Sequence, residues 1–284
     1  MSELFIGLTT WNDAEFIRHS VPALQRTLVG IDVRVAAWDN GSIDDTPALL
    51  RDLGVEVTVR RCAQADALHG LLAMSNAPYT LLLHSDVFLL YPAWFPLLRE
   101  ALHASGAVLI SPNDIGLGAF RRQCYTGNPE SSFMFFDTEK ARRCTSRRPW
   151  SALLKNAVRF RYLQGLHGLP FDAPHITHGL SAAFHTRGYT WEMMRPLPSP
   201  RCVPWFTVDD DFRELSSYTY GDGNFYAYHG VITHYHNWLA RYIGRHGQSS
   251  ADYDDRTRQY NTAYTQRFLT DLQRGAVQTP EIPE

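Results

Sequence analysis

Chemistry could be done at three places in this chain where polar residues close an apolar run or crowd together. The first is Tyr79-Thr-Leu-Leu-Leu-His84-Ser-Asp86-Val, an apolar segment that stops at His84, Ser85 and Asp86. A hard divalent cation takes oxygen ligands, and a carboxylate held at a strand end can bridge such an ion to phosphate oxygens. His84 shares the face of Asp86 only if extended geometry persists through Ser85. The alternative is a cap or turn for the helix near Pro92. The second place is Asp209-Asp210-Asp211. Adjacent carboxylates repel when packed together, so solvent, a cation or an acceptor hydroxyl must relieve them. A general base suits this position if it reaches an acceptor oxygen, and a solvated acidic face is the bland alternative. The third is His229-Gly-Val-Ile-Thr-His234-Tyr-His236-Asn237-Trp238. In a strand, His234 and His236 point the same way and can share a metal or phosphate site, or they serve structure alone. Zinc on both, together with Asp86, would make the chain a hydrolase.

A weaker group surrounds two earlier strand ends, with Thr10 and Asn12 after one and Asp39, Asn40 and Ser42 after the next. A carboxylate such as Asp39 accepts two donors, which suits a base imide or ribose hydroxyls. Gly41 gives the turn its freedom. The same residues read as a turn with a helix cap.

These groups need elements to position them. Apolar runs predict strands over 4–8, 33–38, 55–59, 79–83 and 106–110. Helical spacing predicts helices over 13–28, from Asp45 or Thr46 to Leu53, over 65–74, and from Pro92 through Leu102. Such alternation predicts a largely parallel sheet covered on both faces, with functional loops beyond the carboxyl ends of its strands. The alternation dissolves after residue 112, where glycine and charge are frequent up to Arg148. A helix over 150–163, a loop over 164–179, a short apolar element at 181–184, a helical turn from Phe212 and a terminal helix over 257–274 complete the reading. The tail, 276–284, is expected to be loose.

Composition narrows the partners. The net charge of −2 gives no global basic excess, which makes a nucleic-acid duplex a poor partner. A local basic run holds Lys140, Arg142, Arg143, Arg147 and Arg148. It reads as a solvated face or as a contact for an anionic acceptor or lipid surface. Cys62, Cys124, Cys144 and Cys202 form no CxxC pair, so neither structural zinc nor a redox dithiol is expected, and a reducing compartment is. No cleavable leader and no 18-residue apolar stretch are visible. The expectation is a cytoplasmic protein, with contact at a membrane surface left open. A GxGxxG fingerprint after the first strand, a GxxxxGK[ST] phosphate loop and a GxSxG elbow are all absent from the sequence.

In this order the segments resemble family 2 glycosyltransferases of the GT-A fold. Ile6-Gly-Leu-Thr-Thr-Trp-Asn12 is similar to that family's opening strand and loop. Asp39-Asn-Gly-Ser-Ile-Asp-Asp-Thr46 resembles its Asp-Asn-Gly-Ser-x-Asp-x-Thr segment, and the run ending at Asp86 resembles the strand that carries Asp-x-Asp. Val208-Asp-Asp-Asp-Phe212 falls where its acidic segment is expected. The resemblance is strongest over 4–112. It implies an α/β chain with a single GT-A-like domain over 1–275 and a mostly parallel central sheet flanked by helices. Residues 1–112 would be the nucleotide-binding half, and 113–275 the acceptor-binding and catalytic half. It further implies transfer of a sugar from a UDP-, GDP- or dTDP-linked donor to a glycan, lipid-linked or small-molecule acceptor, with inversion. Thr9 or Thr10 and Asp39 would hold the nucleoside. Asp86 would hold Mn2+ or Mg2+ against the diphosphate, assisted by His234 or His236. Asp209 would match the general base, with Asp210 and Asp211 as close competitors. Two departures stand out: His84 occupies the first Asp position of Asp-x-Asp, and Val208 stands where Glu is expected. A metal-dependent phosphohydrolase, a nucleotidyltransferase and a non-catalytic sugar-binding module are the rival readings.

Overall fold

The computed structural model describes residues 2–117, 123–145, 178–196, 224–228, 231–235 and 255–278. Strand β1 (Leu4–Thr10) is apolar on both faces because it is covered on both. Leu4, Ile6 and Leu8 enter one core, while Phe5 enters another. Gly7 lies where helix and sheet approach closely: a Cβ there would stand 2.8 Å from Leu82 Cδ2 and 3.0 Å from Leu71 Cβ. Helix α1 (Ala14–Arg26) buries Phe16, Ile17, Val21 and Leu24. Strand β2 (Val33–Asp39), helix α2 (Thr46–Asp52), strand β3 (Glu56–Val59), helix α3 (Gln64–Met74) and strand β4 (Tyr79–His84) follow in the expected alternation. The parallel order β3-β2-β1-β4 places β1 at the centre of this half.

Beyond β4 the expectation of a mostly parallel sheet fails. Strand β5 (Val87–Leu89) and helix α4 (Trp94–Ser105) are followed by β6 (Leu109–Leu117), β7 (Gln123–Pro129) and β8 (Phe133–Asp137). Strand β8 lies between β4 and β6 and is antiparallel to both. Helices α5 (Thr138–Thr145) and α6 (His178–Thr186), strands β9 (Trp191–Pro196), β10 (Asn224–Tyr228) and β11 (Val231–Tyr235), and helix α7 (Asp255–Arg274) complete the described elements. Strand β9 is parallel to β6, whereas β9, β10, β11 and β5 form an antiparallel series. The result is an α/β fold with a mixed sheet flanked by helices. The segment after 112, expected to lose regular structure, carries two further strands and α5. The apolar element expected at 181–184 is part of α6, which also takes in 178 and 179 from the expected loop. The helix expected over 150–163 lies outside the described residues.

The two faces of the sheet are closed differently. Side chains of α1, α2 and α4, including Ile17, Leu50, Trp94 and Leu98, pack on Ile6, Leu81, Leu83 and Phe135. Side chains of α3, α5 and α6, including Leu68, Leu71, Ala141 and Phe184, pack on Phe5, Leu82, Met134 and Phe136. A third cluster joins α1, β5, β10 and α7 through Phe16, Phe88, Ala227 and Phe268. Full burial of one such large apolar side chain contributes about 1.5–3 kcal/mol.

Candidate functional site

Strand register brings the candidate residues to one edge. Thr9 lies between Trp38 and His84, and Thr10 lies beside Asp39. The carboxyl ends of β2, β1 and β4 therefore coincide, and the loops leaving them meet there, as a parallel arrangement requires.

The loop after β2 is organised around Asp39, which is 0% exposed. One carboxylate oxygen accepts the N–H groups of Gly41 at 3.1 Å and Ser42 at 2.8 Å. The other accepts the hydroxyls of Thr10, at 3.1 Å, and Ser42. These four donors match the capacity of a carboxylate. Through these bonds Asp39 holds its own loop closed. Gly41, at φ +79°, supplies the left-handed bend that turns the backbone back onto Asp39. Asn12 also lies in the left-handed region, at φ +51°. It is fixed by the 40–45 loop: its N–H donates to Ser42 Oγ at 2.7 Å, and its Oδ1 accepts the Ile43 N–H at 2.8 Å. Asn40 Oδ1 accepts the Cys62 N–H at 2.7 Å. Burial pushes the Cys62 thiol above its ordinary value. Ile43, 94% exposed, forms the outer tip of the loop.

His84 and Asp86 occupy the neighbouring strand end. The His84 N–H donates to the Ser132 carbonyl at 2.9 Å, tying β4 to the turn before β8. Its ring Nε2 lies 2.7 Å from Gln64 Nε2, at the first residue of α3. Ser85 and Asp86 are the two residues between β4 and β5, and each is 4% exposed. Strand β5 pairs with β11, where Tyr235 lies opposite Val87 and His234 opposite Phe88. The backbone of the histidine segment is thus placed beside the residues that follow Asp86. His236, Asp209, Asp210 and Asp211 lie outside the described residues.

The sequence reading passed over four residues at this edge. Asp13 accepts a hydrogen bond from Ser85, and Gln64 meets His84. Ser131 Oγ lies 3.5 Å from His84 Nε2. Ser132, 1% exposed, has a hydroxyl with no hydrogen-bond partner among the described residues. A signal for the last two was present in Ser131-Ser-Phe-Met-Phe-Phe-Asp137, a short apolar run bounded by polar residues. The basic run is partly absorbed by the fold. Lys140 Nζ donates to the Gly106 carbonyl at 3.1 Å and pairs with Asp137 at 3.2 Å. Arg142 donates to the carbonyls of Ala73, at 2.8 Å, and Ser75 at the end of α3. Arg143 pairs with Glu139 on the surface.

Among the described residues, no group of three or more His, Cys, Asp or Glu side chains could hold a metal ion. The buried Asp86 still fits a hard divalent cation, because Mg2+ is commonly bound by one or two carboxylates together with substrate phosphates and water. Among the described residues, no helix is long and apolar enough to cross a membrane.

No protein-family profile matches the chain, and no curated protein matches it significantly. Solved structures with a similar arrangement include a mannosyltransferase from Pyrobaculum calidifontis, in complex with GDP-Man and Mn2+. It is 15% identical, with a TM-score of 0.41, over 51% of this chain and 47% of that one. Glucosyl-3-phosphoglycerate synthase from Mycobacterium tuberculosis, with Mn2+, UDP and glucosyl-3-phosphoglycerate, is 19% identical. Its TM-score is 0.39, over 49% of this chain and 58% of that one. S. aureus TarS 1–349 is 11% identical, with a TM-score of 0.37, over 50% of this chain and 48% of that one. The similarity thus spans about half the length of each of these proteins.

Proposed function

We propose that this chain is a GT-A-like glycosyltransferase that moves a sugar from a nucleoside-diphosphate donor to an acceptor hydroxyl, with a divalent cation held at Asp86. One observation carries the reading. The ends of β2, β1 and β4 coincide, and Asp86 occupies the turn where the chain leaves β4 for β5. The loop held by Asp39 and the buried Asp86 follow strands on either side of β1, which supports a ligand with a nucleoside at one end and phosphates at the other.

In this reading the loop shaped by Asp39 forms the nucleoside side, with Thr9, Thr10, Asn12, Asn40 and Ser42 as its polar wall. Asp86 would hold Mn2+ or Mg2+, and the ion when bound stabilises charge on the departing nucleoside diphosphate. His84 stands beside it, restrained by Gln64. His234 or His236 would assist the ion, and the backbone of β11 up to Tyr235 runs beside β5, which follows Asp86. A carboxylate among Asp209, Asp210 and Asp211 would take the acceptor proton during direct displacement, giving inversion. The free thiols of Cys62 and Cys144 fit a reducing, cytoplasmic setting.

The test is a donor panel of UDP-, GDP- and dTDP-sugars with Mn2+ or Mg2+, following nucleoside diphosphate release with and without acceptors. Acceptor-dependent release is expected. Phosphate release from nucleotides without an acceptor would favour a phosphohydrolase, and pyrophosphate release a nucleotidyltransferase. Saturable sugar binding without turnover would favour a binding module.

A further inference from the structure

We propose that Asp13 is the positioning residue for Asp86 and acts through Ser85, an assignment that rests on the cation-assisted reading of the site. Ser85 is the other member of the two-residue turn that holds Asp86. Its hydroxyl donates to Asp13 Oδ2 at 2.7 Å, in a contact between side chains 4% and 9% exposed for Ser85 and Asp13. The same carboxylate oxygen accepts the Trp11 N–H at 3.0 Å. Hydrogen bonds to an ionised acceptor are shorter and stronger than neutral ones, and burial keeps water from competing.

Asp13 is itself anchored. Its N–H donates to the Thr46 hydroxyl at 2.7 Å, and Thr46 is fully buried at the start of α2. Asn12, next to it, is held in a left-handed conformation by its two bonds to the 40–45 loop. The 11–13 turn is therefore fixed from the nucleoside side and reaches across to the turn on the cation side. The strand bond from His84 to Ser132 secures the residue before Ser85, and β5 takes over at Val87. The Asp13–Ser85 bond acts within the interval between them. It links the two ends of the ligand site through one side-chain pair 72 residues apart in sequence.

Both donors meet the same oxygen, so tether and charge can be separated. Ser85→Ala removes the tether and keeps the charge. Asp13→Asn keeps an oxygen for both donors and removes the charge. Ser85→Thr keeps the hydroxyl. Mn2+ binding is measured by the paramagnetic resonance signal of free Mn2+, with UDP, GDP or dTDP, whichever the wild type binds. Nucleotide affinity in EDTA and the thermal midpoint are measured alongside. Loss of a residue that orients a metal ligand commonly weakens metal binding 10–100-fold. Ser85→Ala is therefore expected to raise the Mn2+ midpoint about tenfold or more while metal-free nucleotide affinity holds, with the thermal midpoint lowered only by the loss of one buried hydrogen bond. Ser85→Thr should restore the wild-type value, and Asp13→Asn should fall between. An unchanged Mn2+ midpoint in Ser85→Ala, or an equal loss in EDTA, would overturn this assignment and leave the site reading intact. A wild-type protein without Mn2+-dependent nucleotide binding would overturn both.

Discussion

Replacing Asp39 separates a carboxylate that holds its loop from one that holds a ligand. In Asp39→Ala the two hydroxyl donors, on Thr10 and Ser42, can rotate toward other acceptors, but the N–H groups of Gly41 and Ser42 cannot. A stranded donor costs about 1–3 kcal/mol when buried, and these two amides are only partly buried, so together they predict a loss of about 2–3 kcal/mol. That is a large part of the roughly 5–15 kcal/mol that stabilises a folded domain. Asp39→Asn keeps an oxygen for the amides and exchanges charge-assisted bonds for neutral ones, a loss of about 1–2 kcal/mol. Urea unfolding followed by tryptophan fluorescence, using the chain's 7 tryptophans, measures both variants. A loss below about 1 kcal/mol in the alanine variant would refute the account of the loop. So would an asparagine variant of wild-type stability that no longer binds nucleotide, because Asp39 would then be touching the ligand.

Other perturbations follow from the same contacts. Gly7→Ala should cost about 1–3 kcal/mol in urea unfolding, since its Cβ would press on Leu82 and on the fixed Cβ of Leu71. Ser132→Ala removes a buried hydroxyl that has no partner among the described residues, so stability should hold or rise by about 1 kcal/mol, and a loss of that size would mean the hydroxyl is satisfied. Burial lowers the proton affinity of His69 and of His19 below the ordinary value of 6.5. The unfolded chain then binds protons more readily, so stability is highest above pH 6.5, declines as pH falls through it, and levels off beneath the depressed values. Thermal midpoints between pH 8 and pH 5 check the trend, which His69→Gln should flatten.

The central strands were legible in the sequence for a physical reason. Strands β1 and β4 are buried on both faces and so read as unbroken apolar runs. Strand β8 has the same character in Phe133-Met-Phe-Phe, but it is short and sits in a stretch dominated by glycine and charge. Its direction was not legible, because composition does not tell a strand which way to run beside its neighbour. That is why the mostly parallel expectation gave way to a mixed sheet. At the site, Thr10, Asn12, Asp39 and Ser42 announced themselves by clustering at strand ends. Which of them would face the protein did not, since Asp39 is satisfied by partners on two segments, the end of β1 and its own loop. Asp13 read only as a helix start, and its bond to Ser85 exists because β1 and β4 are neighbours. Gln64 likewise reaches His84 only after α3 has packed across the sheet.

The most direct test of the central claim is calorimetric binding of UDP, GDP and dTDP to the wild type and to Asp86→Asn, each with Mn2+ and with EDTA. The expected result is that one nucleotide binds the wild type more tightly with Mn2+, and that Asp86→Asn loses most of this gain while its affinity in EDTA stays the same. Wild-type binding indifferent to Mn2+, or a metal-dependent gain retained in Asp86→Asn, would contradict the assignment of Asp86 as the carboxylate that holds the cation.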